Sequence, residues 1–329
     1  MGETFQIAPG EEALLARHGL TSLAGVFALG RGRRMDKPGL EAWRQRWRLD
    51  LQDGQGGSRV VYLKRFMRPP WRRQWQRWME GRVFSSTAGI EWTNAGDLAA
   101  AGIPAVRAIA FGEARVGPLE WCSCILLAGV AGESLERWLP GHVPPVALEQ
   151  NLPRRRRRLD GLAGLVAAFH EAGFVHRDLY LSHVFIDDET LENAENLPQP
   201  LLRKEGRQSG DPPQNENLTR PLPGQEGSVF RLIDLQRVFR PRWRRRRWVV
   251  KDLAALDYST PQERIGHWER LRFLCRYARA CHRFGSARTL AELVGAKSAR
   301  MRRRRPPVPA QRWPGTAGPD HPAASITAP

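Results

Sequence analysis

A chain of 329 residues, 41% of them hydrophobic, is long enough for one large domain or two lobes around a cleft, and it leaves room for segments that do not fold. Lys and Arg number 52 against 34 Asp and Glu, a formal charge of +18 that favours anionic partners over cationic ones. The four cysteines, Cys122, Cys124, Cys275 and Cys281, are too few to staple such a chain and lack zinc-like partners, so a reducing cytoplasm is expected.

The opening stretch "MGETFQIAPGEEALLARHG" is acidic and lacks the apolar centre of a secretory signal, and no apolar run approaches the ~18 residues of a membrane span. Within residues 21–63, "LAGVFAL", "WRQRWRLDLQ" and "SRVVYLK" read as strands separated by Gly-rich turns at 30–32 and 54–57. Residues 84–101 predict a helix ended by Gly102 and Pro104, and "AVRAIAFGE" and "LEWCSCILLAGV" predict two more strands. Leu159, Leu162, Val166 and Phe169 recur at helical spacing until Gly173, and the arginine run 154–158 reads as plain surface.

The loop "FVHRDLYLSHVFI" follows at 174–186. Residues 188–227, rich in Asn, Gln, Glu, Pro and Gly, read as a disordered insertion, after which "VFRLIDL" restores strand character. Helices are expected at 262–284 and 287–295, then an unstructured basic and Pro-rich tail over 301–329. Strands first and helices second predict an α+β protein of two lobes. An antiparallel sheet with one helix would occupy 1–127, and a mainly helical lobe 128–300.

Phosphoryl transfer asks little covalent chemistry of a protein. It needs one Asp to take the hydroxyl proton, a second Asp on Mg²⁺, and a Lys on the phosphates that is itself held by a Glu. Asp178, in His176-Arg177-Asp178, suits the first role, and Asp234, ending the apolar strand "FRLID", the second. Lys64 closes "VVYLK" in a chain with 47 arginines and only five lysines, which suggests that a compact point charge is required there. Glu91 shares a helical face with Ala95 and Leu98, so it points inward and needs a cation, and Lys64 is the available one. "GRG", with Gly30 and Gly32, is a reduced Gly-rich loop for a nucleotide. Each feature alone has an ordinary structural explanation; four in the protein-kinase order, on the right element types, carry the protein-kinase-like reading. His183 stands where protein kinases place an asparagine, Asp234-Leu235-Gln236 replaces D-F-G, and little room separates Asp234 from "KDLAAL". A peptide acceptor is therefore not expected.

"HRDLYLSHVFI", "LIDLQRVFR", "KDLAAL", "YLKRF" and "GIEWTNAGDLAAAGIPAVRAIAFGE" together resemble the lipopolysaccharide core heptose kinases and the related Kdo kinases of Gram-negative bacteria. The resemblance covers roughly residues 20–186 and 228–285, and its specific marks are the His at the metal position and the D-L-[HQ]-R run. It implies a protein-kinase-like fold, ATP with Mg²⁺, and transfer of the γ-phosphoryl group to a heptose or Kdo hydroxyl of the lipopolysaccharide inner core. It further implies Asp178 as base, Asp234 as Mg²⁺ ligand, His183 in the place of the second ligand, and Lys64 with Glu91 on the phosphates. Asp252 is expected to brace the loop from a helix start.

The Arg-Trp stretches 65–82 and 240–250, with Trp71, Trp75, Trp78, Trp243 and Trp248, suit a peripheral site on the inner face of the inner membrane. A solvated face with half-buried Trp explains them equally well. Specific nucleic acid is not expected. Two alternatives stand: a small-molecule kinase of the aminoglycoside type, and a catalytically weak basic module that binds anionic membrane or nucleic acid.

Overall fold

Alternating side chains along β4 decide the layering of the first half. The computed structural model describes residues 2–35, 41–54, 56–144, 152–187 and 229–304. Strands β1 (Gly2–Ile7), β2 (Arg33–Arg34), β3 (Arg44–Gln52), β4 (Ser58–Met67), β5 (Ala108–Val116) and β6 (Leu119–Ala128) form one antiparallel sheet in the order β1-β5-β6-β4-β3-β2. Val61 and Leu63 of β4 face a core shared with helices α1 (Glu12–Arg17) and α2 (Leu23–Ala28). Tyr62 and Phe66 face the opposite core, which includes Leu98 of α4 (Thr87–Ala100), and Lys64 alternates to that side with them. Between β4 and α4 lies a short helix, α3 (Trp71–Met79).

"LAGVFAL", expected as a strand, is helix α2. A short apolar run has no decisive period, and the caps settle the matter. Ser22 Oγ accepts from the Gly25 amide at 3.1 Å, and the buried guanidinium of Arg65 donates to the carbonyls of Val26 and Leu29 at the other end. The amino-terminal half thus carries α1, α2 and α3 besides the helix read from the sequence.

The second half is helical around a small antiparallel sheet. It comprises β7 (Glu133–Ser134), α5 (Leu135–His142), α6 (Leu152–Glu171), β8 (Val184–Ile186), β9 (Phe230–Leu232), α7 (Arg245–Ser259), α8 (His267–Ala280) and α9 (Ala287–Arg304), with strand order β7-β8-β9. One core joins the halves, running from Phe66 and Ile125 of the sheet to Phe169, Leu253 and Tyr277 of the helices. Helix α6 begins before Leu159 and takes in the arginine run; Arg155 is buried there, donating to Glu269 Oε2 at 2.7 Å, so this run is not plain surface. Helix α9 continues through Arg304, and Arg302 reaches Asp257 Oδ2 at 3.1 Å, so the first residues assigned to the tail are helical. The expected insertion at 188–227 and the tail beyond Arg304 lie outside the described residues. The described residues on either side of the former are paired: Ile186 with Phe230, and the Asp187 amide donates to the Val229 carbonyl at 2.8 Å. All four cysteines are free, and among the described residues no helix is long and apolar enough to cross a membrane.

Candidate active site

Lys64 connects the two halves. From β4 its Nζ donates to Glu91 Oε1 at 2.7 Å and to Asp234 Oδ1 at 3.0 Å. Glu91 is fully buried on the inner face of α4, a helix whose start is fixed by Ser86 Oγ accepting from the Gly89 amide at 3.0 Å. Gln236 Nε2 donates to the second oxygen of Glu91 at 3.1 Å, and Gln236 Oε1 accepts from Arg44 Nη2 at 2.9 Å. The Gln in place of the protein-kinase glycine therefore has a bonding role.

One ammonium between two carboxylates leaves a net negative charge, and Arg46, paired in register with Lys64, offsets it from 3.9 Å. Burial alone would strip the proton from Lys64, but Asp234 and Glu91 outweigh it and raise the ammonium pKa. Burial would likewise raise Asp234; Lys64, His183 and Arg46 prevail and hold its carboxyl well below the usual carboxylate range.

Asp234 and Arg177 both adopt left-handed backbone conformations, with φ of 58° and 67°. Such residues persist only where surrounding bonds fix them. His176 supplies several of those bonds. Its fully buried ring donates from Nε2 to the Ile233 carbonyl at 3.0 Å and stacks on His183 with centroids 5.6 Å apart. Burial, with His183 alongside, lowers its pKa and keeps it neutral. The His176 amide donates to Asp252 Oδ2 at 2.5 Å. Asp252 thus braces the loop, but from the middle of α7, because that helix begins at Arg245 rather than near Lys251.

The carboxylate of Asp178 accepts from Arg237 Nη1 at 2.5 Å. His183 Nδ1 donates to the Asp178 carbonyl at 2.6 Å, and its Nε2, an acceptor when the ring is neutral, faces Asp234 Oδ2 at 3.8 Å. Two acceptors at that separation suit a cation between them, so this donor set fits a divalent ion that completes its shell with phosphate oxygens and water. Among the described residues, no group of three or more His, Cys, Asp or Glu is placed to hold a metal by itself.

Asp178 and Asp234 line a cavity of about 350 Å³ whose walls include Arg44, Arg46, Arg177 and Arg237. Gly30 and Gly32 do not line it. They follow helix α2 instead of a strand; Gly32, at φ +116°, is needed because a Cβ there would lie 2.5 Å from Leu49 Cδ2, whereas Gly30 faces open space. Sequence reasoning missed Asn94, whose Nδ2 donates to the carbonyls of Leu235 at 2.7 Å and Val238 at 2.9 Å and ties α4 to the Asp234 turn. A polar residue one turn from Glu91 on the inward face was its signal. Arg237 was present within the D-L-Q-R run without a role, and Arg46 was readable only once it was known to lie opposite Lys64.

The fold matches a solved structure, "WaaP in complex with acyl carrier protein", with a TM-score of 0.56 and 22% identity over 92% of this chain and 98% of that one. At that identity the likeness establishes the two-lobed kinase-like fold alone. No curated protein matches the sequence. The sequence profile of the lipopolysaccharide kinase (Kdo/WaaP) family matches residues 39–222, more than half of the chain. The chain therefore belongs to the Kdo/WaaP family of lipopolysaccharide kinases, phosphotransferases that act on sugar hydroxyls.

Proposed function

We propose that the protein transfers the γ-phosphoryl group of ATP, with Mg²⁺, to a heptose or Kdo hydroxyl of the lipopolysaccharide inner core. The observation that carries this reading is the bridge from Glu91 through Lys64 to Asp234, with Asp178 on the same cavity. Lys64, oriented by Glu91, neutralises phosphate charge; Asp178 accepts the hydroxyl proton as the oxygen attacks. Arg237 lies beside Asp178 and can turn to the charge that develops on the transferring group. Asp234 and His183 would hold the divalent cation, which when bound supplies further neutralisation of the phosphates.

We assign residues 1–127 to the nucleotide-binding lobe and 128–300 to the acceptor-binding lobe, and we place the protein at the inner face of the inner membrane. An acyl carrier protein, bound in the related structure, is a candidate partner here. Cavity walls rich in arginine favour an anionic core sugar over an aminoglycoside, whose amines would meet like charge. Turnover of ATP by the purified protein tests the reading, with core oligosaccharide, peptide or aminoglycoside as acceptor. Transfer to the oligosaccharide alone, abolished by chelation of Mg²⁺, is expected; preference for either other acceptor would refute it.

A further inference from the structure

Helix α3 is turned inside out. Its inner face is polar: Gln74 and Arg77 are buried, Arg77 pairs with the buried Glu120, and Gln74 Oε1 accepts from the Glu120 amide at 2.9 Å. Its outer face is aromatic. Trp71, Trp75 and Met79, spaced one turn apart, are 59%, 53% and 72% exposed. Trp71, Trp75 and Trp78 pack on one another with ring centroids 5.2–6.4 Å apart. Water selects the opposite arrangement, and an exposed apolar arc of this kind marks a surface that meets something else.

The patch extends beyond the helix. Trp78 Nε1 approaches the Pro118 carbonyl at 3.4 Å, at the tip of the β5–β6 hairpin where Val116 and Leu119 are also exposed. Arg68 lies over the exposed Trp121 ring at 4.2 Å, and Arg72 is exposed on α3 itself. The other Arg-Trp stretch does not share this design. Trp243 is exposed, but Trp248 packs edge-on against Phe239 at 5.2 Å and beneath Arg177.

We propose that the outer face of α3 docks the protein on an anionic bilayer, seating Trp71, Trp75 and Met79 at the level of the lipid headgroups. Indole rings favour that depth because one edge is apolar and the other carries an N–H, and the neighbouring guanidiniums meet lipid phosphates. The net charge of +18 complements such a surface. The location also serves the reaction. Arg73, Gln76 and Arg77 of the same helix, and Glu80 just after it, line the cavity that holds Asp178 and Asp234, so a docked α3 brings the mouth of the cleft to the bilayer from which a glycolipid sugar projects. That last step rests on the glycolipid-kinase reading; the docking itself does not.

Sedimentation with vesicles of phosphatidylglycerol and phosphatidylcholine, or of phosphatidylcholine alone, tests the proposal on the full chain. Wild type should bind the anionic vesicles in a salt-dependent way, with a blue-shifted, lipid-quenched tryptophan emission. The double variant Trp75→Ser, Met79→Ser should bind about tenfold or more weakly, given the apolar area withdrawn from the interface. It should melt like wild type and turn over delipidated core oligosaccharide at the wild-type rate, while losing turnover of intact glycolipid in vesicles. Equal vesicle binding by the two proteins, or equal binding to neutral vesicles, would overturn the proposal. So would a wild-type dimer that the substitutions dissociate, because the face would then be a contact between chains. Failure of both proteins on the delipidated acceptor would count against the kinase reading alone and leave the vesicle result to decide the docking.

Discussion

At the scale of single residues, the site is governed by how charge is buried. Glu91 has no exposed surface and depends on Lys64 and Gln236 for its bonds. Substituting Lys64→Met should cost about 3–5 kcal/mol in urea unfolding, because it strands a buried carboxylate. Adding Glu91→Leu should restore much of that stability, since an apolar pair of similar volume tolerates the site, while turnover stays depressed about 10²–10³-fold in either single variant and in the double. Multiplicative losses of activity would show that the two side chains act separately.

The same cluster sets a pH dependence. Asp234 titrates below its ordinary value of 3.8, so its stabilisation is complete above that pH and is lost as the pH falls toward the folded-state value. Lys64 titrates above its ordinary 10.5, so its contribution holds below that pH and is lost as the pH rises through the folded-state value. Between these limits both are present. Acid unfolding of Asp234→Asn should therefore show a shallower fall in stability below about pH 4 than wild type; identical slopes would contradict the depressed carboxyl. The types and order of Lys64, Glu91, Asp178 and Asp234 were legible in the sequence because Lys64 and Asp234 follow apolar strand runs, Glu91 lies on the apolar face of a helix, and Asp178 sits in a polar triplet between apolar residues. Arg237 was not, because its partner is fixed by the Asp234 turn, whose left-handed backbone leaves no periodic trace; Asn94 shows its inward position by helical spacing, but not its partners on that same turn.

At the scale of elements, long segments with a clear period were legible and short ones bounded by caps were not. Strands β3 and β4 and helix α4 stand where alternation and helical spacing placed them. Helix α2 was misread because Arg65, remote in sequence, completes its carboxyl end. Helix α3 escaped because its apolar arc faces outward, so the pattern looked like decoration of a basic stretch. The segment after β8 gives an element-scale prediction. Its composition is poor in apolar side chains, so we propose that it adds little to the fold, and the residues that flank it, Ile186 and Phe230, are joined by strand pairing. Replacing residues 190–226 with a short Gly/Ser linker should leave melting temperature and ATP binding nearly unchanged, as calorimetry and nucleotide titration would record. A collapse of either would mean that the segment packs on the cleft.

At the scale of the whole molecule, the arginines form a system. Arg44, Arg46, Arg177 and Arg237 wall the cleft, Arg65 and Arg155 are structural, and Arg68 and Arg72 border the outer aromatic face. A field of this sign draws phosphate and carboxylate groups toward Asp178 while Lys64 and Arg46 keep Asp234 ionised. The central claim is that this cleft phosphorylates a core sugar hydroxyl with Asp178 as base. The most direct measurement is mass spectrometry and phosphorus NMR of dephosphorylated inner-core oligosaccharide after incubation with ATP and Mg²⁺, using wild type and Asp178→Asn. Wild type should add a single phosphate monoester to a heptose or Kdo hydroxyl, and the variant, equally stable, should be slower by about 10²–10⁴-fold. An unmodified oligosaccharide with wild type, or a variant retaining more than about a third of the rate where general-base loss should cost at least two orders of magnitude, would contradict it.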